Sequence, residues 1–369
     1  MNAINFSSLC ILLLSAGCIK AQPDQLGSNS TNFIQERIND NLYVLKAPDY
    51  NTNVGVFIGS DAVLLIDPMT GNSQQEILLN EIKRLSDKSI KYVLNTHNHI
   101  DHSGANSFFS KLGATIITHE NSKYTSAVND VTFSDSYIIE MGNETIEMFH
   151  IAAHTFDDAL IYLKESNALF TGDTYMTKTF PHFYYGGGSK GHLKILEKAL
   201  SLGDAYTSII PAHGKLVSDK KQLQAYRDNS IKWINRIEQL YKQGKTSGEI
   251  VEDEQIKQLA RIFSGSEKVW QQTIDKTISV DLIPSIDVSY DLLKGYAGDY
   301  SFEDQQVCSI IFEEDILRLG KEGAYLYELT PVSETRFHVK GQFPHRYITF
   351  TNNGFEFFDG KKTLKAIKD

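Results

Sequence analysis

The sequence predicts an α/β domain that gives way to a small all-β domain, and three observations carry the prediction. Short apolar strand runs near the N-terminus pass into alternating strands and helices. After Ser289 the pattern becomes a series of closely spaced short strands. Ahead of that change stands Thr96-His97-Asn98-His99-Ile100-Asp101-His102-Ser103-Gly104, so dense in metal-binding side chains that the neighbouring elements read as its support.

With 369 residues and 41% hydrophobic composition, the chain can bury a full core and is long enough for two domains. Its net charge is −10 and its pI is near 5.6. Phosphate backbones need basic surfaces, so no nucleic-acid partner is expected.

The first 21 residues read as an export signal, because Phe6 to Gly17 is an apolar run too short to span a bilayer and polar sequence follows it. Its start lacks Lys or Arg. Cleavage after Ala21 would release a soluble periplasmic or secreted protein. Alternatively, Ser15-Ala16-Gly17-Cys18 resembles a bacterial lipobox, which would leave a lipid anchor at Cys18; soluble release is the preferred reading. Of Cys10, Cys18 and Cys308, only Cys308 then remains as a free thiol, so no intrachain disulfide is available. No other apolar stretch is long enough for a transmembrane segment.

A polar linker over 22–32 precedes Leu42–Leu45, Asn53–Gly59 and Ala62–Pro68, three apolar runs bounded by Gly, Asp and Pro, which read as successive strands. Helical spacing follows at Leu78, Ile82 and Leu85. Ser89 to Asn95 reads as a buried strand and Gly104 to Phe109 as a helix start, which puts the histidine run on a loop between them. In an extended segment residues two apart share a side, so His97 and His99 suit one ion, while Asp101 and His102 face a second. The bland alternative is a polar turn of solvated histidines. Imidazole and carboxylate together are donors that zinc accepts.

The His-x-His-x-Asp-His run resembles the motif of the metallo-β-lactamase superfamily, over about residues 35 to 245. His154 in Ala-Ala-His-Thr, Asp173 in Phe-Thr-Gly-Asp-Thr and His213 in Pro-Ala-His-Gly match that family's later ligands; Ala153 departs from the Gly that commonly precedes the single histidine. The resemblance implies a four-layer αβ/βα sandwich, with two sheets packed together and helices outside. It also implies roles. His97, His99 and His154 would hold one divalent metal ion; Asp101, His102 and His213 a second; Asp173 would bridge. Zinc is the first choice, with iron or manganese as alternatives. Two close dications lower the pKa of a shared water to about 7, which generates a hydroxide able to attack a carbonyl, with Asp101 as the catalytic residue that orients it. Asp at the bridge resembles the glyoxalase II and lactonase branches rather than true β-lactamases, which leaves β-lactam hydrolysis as a minor alternative. Asp67 is implied to lie close behind the ligands; otherwise it is a turn carboxylate.

His119 and His150 border strands without matching a ligand position and are expected to be structural. Thr174 to Lys190 carries aromatic residues with Tyr175, Lys178 and His182, a candidate pocket wall with donors for an oxyanion, or else a loop packing on the core. Gly186-Gly187-Gly188 lacks the ending of a phosphate loop and reads as a flexible connector. Lys220 to Gly244 reads as one long helix, and Thr246 to Trp270 as helical and charged. Residues 33–278 therefore form the hydrolase domain, 279–288 a linker, and 289–369 a β-rich accessory domain whose Asn353-Gly354 signals a hairpin. That domain carries no ligand motif; His338 and His345 are expected to be packed or surface residues.

The function expected is an exported dinuclear metal-dependent hydrolase of a small-molecule ester, lactone, thioester or amide. The alternative is a ligand-binding or scaffolding protein with a structural metal site. Substrate identity and oligomeric state are left open by the sequence.

Overall fold

The computed structural model describes residues 33–71, 74–124, 128–320 and 326–369. The expected export signal, Cys18 and the 22–32 linker lie outside the described residues. Two compact units emerge, one over residues 33–283 and the other over Pro284–Asp369.

In the first unit, seven strands form one sheet in chain order: β1 (Ile34–Arg37), β2 (Leu42–Lys46), β3 (Asn53–Ile58), β4 (Val63–Ile66), β5 (Ile90–Leu94), β6 (Thr115–His119) and β7 (Val131–Phe133). The first four pair antiparallel and the remainder parallel. The second sheet contains β8 (Ser136–Met141), β9 (Glu144–His150), β10 (Ala159–Leu163), β11 (Ala168–Phe170), β12 (Ser208–Ile210) and β13 (Ser218–Asp219), in the spatial order β13-β12-β11-β10-β9-β8.

The unbroken apolar run of β4 follows from burial on both faces. Leu64 and Ile66 point between the sheets, where they meet Ile146, Met148, Ile161 and Phe170. Val63 and Leu65 point the other way, into a cluster with Leu78 and Ile82 of α1 (Gln75–Leu85). α1 carries Glu76 in its first turn and Lys83 and Arg84 in its last, complementing the helix dipole. The expected sandwich is thus borne out.

The histidine run is not all loop. Ile100–Ser103 forms a single helical turn, α2, and α3 (Asn106–Lys111) follows it. That turn, rather than an extended chain, swings Asp101 and His102 away from His97 and His99.

α4 (Gly188–Ser201) and α5 (Lys220–Lys242) pack together, and α5 covers β12 and β13. The charged stretch after α5 divides into α6 (Ser247–Ile250), α7 (Glu254–Phe263) and α8 (Glu267–Asp281). Ser264 and Gly265, both at positive φ, separate the last two. α8 takes in residues 279–281 of the expected connection.

The second unit is a closed eight-stranded antiparallel barrel: β14 (Gly298–Phe302), β15 (Val307–Glu313), β16 (Ile316–Gly320), β17 (Tyr327–Pro331), β18 (Arg336–Val339), β19 (Tyr347–Thr351), β20 (Gly354–Phe358) and β21 (Thr363–Lys368). β21 returns to β14, which removes the open edge. Alternate residues such as Tyr300, Phe337, Ile348, Phe350 and Phe355 are buried, and α9 (Tyr290–Tyr296) stacks Tyr296 on Phe350 at 3.8 Å between ring centroids. His338 is buried, with Nε2 3.2 Å from Nδ1 of the half-buried His345.

Candidate metal centre

Strand ends deliver nearly every candidate ligand. β5 runs into His97, His99, Asp101 and His102; β11 runs into Asp173; β12 runs into His213; and the β9–β10 connection carries His154. At the end of β11, Gly172 has φ +54°, and a Cβ there would stand 2.7 Å from Thr96 Oγ1. Glycine is therefore what allows Asp173 to sit against the histidine run.

The seven predicted residues come together in two groups, His97, His99, His154 and Asp173 in one and Asp101, His102 and His213 in the other, with the ligand atoms of each group within 4.8 Å of one another. His154 Nε2 lies 3.0 Å from His99 Nδ1 and 3.4 Å from Asp173 Oδ2. His213 Nε2 lies 3.3 Å from Asp101 Oδ2 and 3.2 Å from Asp173 Oδ1. His102 Nε2 is 3.5 Å from Asp101 Oδ2 and 3.4 Å from Asp173 Oδ1. Two donors each about 2.0–2.1 Å from a tetrahedral ion stand roughly 3.3 Å apart, so this spacing fits metal ligation. Asp173 turns one oxygen to each group.

Hydrogen bonds behind the cluster fix which nitrogen faces it. Asp67 Oδ1 accepts the Thr96 amide at 2.8 Å, and Oδ2 accepts both the Thr96 hydroxyl at 2.7 Å and His102 Nδ1–H at 2.9 Å. With its proton given to Asp67, Thr96 Oγ1 accepts His97 Nδ1–H at 3.2 Å. His154 Nδ1–H donates to the His182 carbonyl at 3.0 Å. The Nε2 lone pairs of His97, His102 and His154 are thereby directed inward, as metal ligation requires. His97 Nε2 is buried with no hydrogen-bond partner among the described residues, a cost that a bound cation would remove. Asp67 thus stands directly behind the ligands, and its own backbone is held at φ 52° by bonds from its amide to Leu94 and from Met69 to its carbonyl.

Electrostatics divides the same two groups. Burial, reinforced by neighbouring imidazoles, pushes His97 well below the usual histidine range and His99 down to about 3. Burial also opposes charge on Asp101 and Asp173, but His102 and His213 outweigh it and hold both carboxyls ionised. In return, the two carboxylates overcome burial at His213 and raise it to about 9, and Asp101 and Asp67 raise His102. His97, His99 and His154 offer neutral lone pairs, and Asp101 and Asp173 offer anionic oxygen; both suit a divalent ion.

Of the three donors expected in the aromatic segment, Tyr175 is buried with its hydroxyl 2.9 Å from Ser218 Oγ, and Lys178 is exposed. His182 alone of them abuts the ligands, its ring 4.4 Å from that of His154. The glycines beside it are not a flexible connector. A Cβ on Gly187 or Gly191 would lie 1.9 or 2.1 Å from the Ala152 carbonyl oxygen, and one on Gly186 would lie 2.2 Å from that of Thr155. They let the start of α4 press against the loop carrying His154.

No sequence signal points to Asp158, which accepts the amides of His154 and Thr155 and the Thr155 hydroxyl. His119 and His150, outside both groups, stack on each other at 3.5 Å.

Fold and donor set together define the class, an αβ/βα sandwich domain with a candidate dinuclear metal centre. Residues 47–213 match the metallo-beta-lactamase superfamily, and this domain belongs to it. A hydroxyacylglutathione hydrolase of Pelagibacter ubique is 38% identical over 96 residues, 25% of this chain and 40% of that protein. A probable hydroxyacylglutathione hydrolase of Schizosaccharomyces pombe is 31% identical over 159 residues, 42% of this chain and 60% of its own length. The chain therefore spans only about half the length of these relatives. A solved metallo-beta-lactamase from Pontibacter korlensis superposes with TM-score 0.48 and 19% identity, covering 54% of this chain and 100% of that one.

Proposed function

We propose that this chain is an exported dinuclear hydrolase that cleaves a carbonyl substrate, with thioesters favoured over esters, lactones and amides. The observation that carries the reading is the placement of Asp173 between two ligand groups, 3.4 Å from His154 on one oxygen and 3.2 Å from His213 on the other. The favoured substrate class rests on relatives named hydroxyacylglutathione hydrolase and atrochrysone carboxyl ACP thioesterase.

Divalent ions, zinc first among them, would be held by His97, His99 and His154 on one side and Asp101, His102 and His213 on the other, and they supply Lewis acidity and a water of about neutral pKa. Asp101 is partly exposed, with Oδ2 receiving the Thr52 hydroxyl at 3.5 Å and lying next to His213. There it orients the attacking water and takes its proton. Water adds to the carbonyl carbon, the carbon–sulfur bond breaks, and Asp101 returns the proton it took to the departing sulfur, so that a carboxylic acid and a thiol are released. Among the described residues no helix is long and apolar enough to cross a membrane. Export rests on the apolar run Phe6 to Gly17, and mass spectrometry of the natural N-terminus distinguishes release after Ala21 from lipidation at Cys18.

Zinc-loaded protein is expected to bind about two ions per chain and to turn over an acyl thioester faster than a lactone or a chromogenic β-lactam. Two bound ions with no turnover of any of these would overturn the hydrolase reading in favour of a structural metal site.

A further inference from the structure

The connection that carries His154 also reaches the histidine run, and three consecutive residues at the entry to β10 make the link. Ala159 donates its amide to the Thr96 carbonyl at 2.7 Å. Asp158 accepts the amides of His154 and Thr155. Asp157 turns its carboxylate to the backbone amide of Asn98, the residue that stands between the ligands His97 and His99. Both carboxylates are buried, Asp157 at 4% exposure and Asp158 at 3%.

Neither takes part in the hydrolytic steps above, and burial makes each costly to keep. It pushes Asp157 up to about 7, against the pull of hydrogen bonds from Thr155, its own amide and Asn98. A carboxylate that only closed its own turn would need no partner from the loop after β5. The position of that partner matters. His99 presents Nδ1, which stands 3.0 Å from His154 Nε2. Because Nδ1 is bonded directly to Cγ, its place follows that of its own backbone more closely than Nε2 would. An anchor on the peptide that joins His97 to Asn98 therefore governs where both ligands stand.

Resting on the two-ion reading above, we propose that Asp157 is a positioning residue for the ion that His97, His99 and His154 would hold. Its carboxylate ties the histidine run to the loop of His154 and sets the spacing of these three ligands before metal arrives. Asp158, through the His154 amide, holds the other end of the same tie. Asp101 and His102 depart in α2 and His213 follows β12, so the tie bears on the first group alone.

The test measures zinc affinity against a competing chelator in two backgrounds, His213→Ala, which takes a ligand from the second group, and His154→Ala, which takes one from the first. In the His213→Ala background, Asp157→Ala is expected to weaken the remaining ion at least about tenfold; in the other it should leave affinity within about threefold. A carboxylate needed only for folding would weaken both alike. Asp157→Asn keeps an oxygen for the Asn98 amide. The Thr155 hydroxyl gives its proton to Asp158 at 2.6 Å, so its oxygen can accept the new amide N–H, and this variant is expected to bind zinc within about threefold of its parent. Equal losses in the two backgrounds, no loss in either, or Asp157→Asn as impaired as Asp157→Ala overturns the proposal. Amide exchange in metal-free wild type needs no variant. The Asn98 N–H is expected to be protected at least about a hundredfold over a free amide, and exchange at the free rate overturns the tie. Wild type that binds fewer than two ions defeats the two-ion reading, while exchange at Asn98 still decides the tie. Two bound ions without turnover of any thioester defeat the hydrolase reading and leave the positioning role standing.

Discussion

The Asp67 carboxylate receives Nδ1–H of His102 at 2.9 Å and, through the same oxygen, the hydroxyl of Thr96. One buried side chain therefore orients a ligand of the second group directly and, by way of Thr96, His97 of the first. Asp67→Ala is expected to weaken metal binding by about 10–100-fold, chiefly for the ion that Asp101, His102 and His213 would hold. Titration with zinc against a competing chelator checks it. Two ions retained at wild-type affinity would show that His102 needs no support from behind.

Asp101 is the candidate catalytic residue, and its role is separable from the fold because it sits on a partly exposed single helical turn. Asp101→Asn keeps the shape and one acceptor oxygen but can no longer take a proton. At saturating zinc, kcat on a thioester is expected to drop at least about a hundredfold, with the circular dichroism spectrum unchanged. Undiminished turnover would remove Asp101 from the mechanism.

How much of this was legible depended on whether a residue's job leaves a mark in the sequence. The seven cluster residues did so because their chemistry is unusual and each follows an apolar strand or turn signal. β4 did so because burial on both faces demands an unbroken apolar run. β21 did not: among its residues only Ala366 is buried, so the strand that closes the barrel looks like polar surface. β1 is exposed throughout and equally silent. The glycines before α4 were misread for a different reason, since a missing side chain serves close packing and chain freedom alike, and composition cannot separate them.

Close packing at those glycines makes a graded prediction. A Cβ on Gly187 meets the Ala152 carbonyl oxygen at 1.9 Å and its carbon at 2.6 Å, both backbone atoms two residues before His154. Gly187→Ala must push that loop away, at a cost of about 1–3 kcal/mol, and should lower zinc affinity along with Tm. Gly248 in α6 has nothing within 4 Å of the same construction, and Gly248→Ala should be neutral or stabilising by up to about 1 kcal/mol. Equal thermal shifts in the two variants would show that the contact at Ala152 yields without cost.

The stacked histidines predict how stability depends on acid. His119 accepts the Asn121 amide on Nδ1 at 3.2 Å and donates from Nε2 to the Ser134 carbonyl at 2.7 Å, which fixes it as neutral. Burial, with His150 stacked at 3.5 Å, pushes it down to about 4. A proton on Nδ1 would confront the Asn121 N–H and charge one face of the stack. Between pH 6.5 and about 4 the unfolded chain therefore binds a proton that the folded chain refuses. The stability this group contributes is full above pH 6.5 and is lost as pH falls towards about 4. His119→Phe keeps a flat ring but forgoes both hydrogen bonds, so at pH 7 it should be less stable than wild type by roughly 1–2 kcal/mol. Because phenylalanine does not titrate, that deficit should shrink steadily in denaturant melts of the metal-free protein taken from pH 6.5 down to pH 4. A deficit that stays constant across the window would mean that His119 takes up its proton equally well folded and unfolded, and that the stack does not oppose its charging.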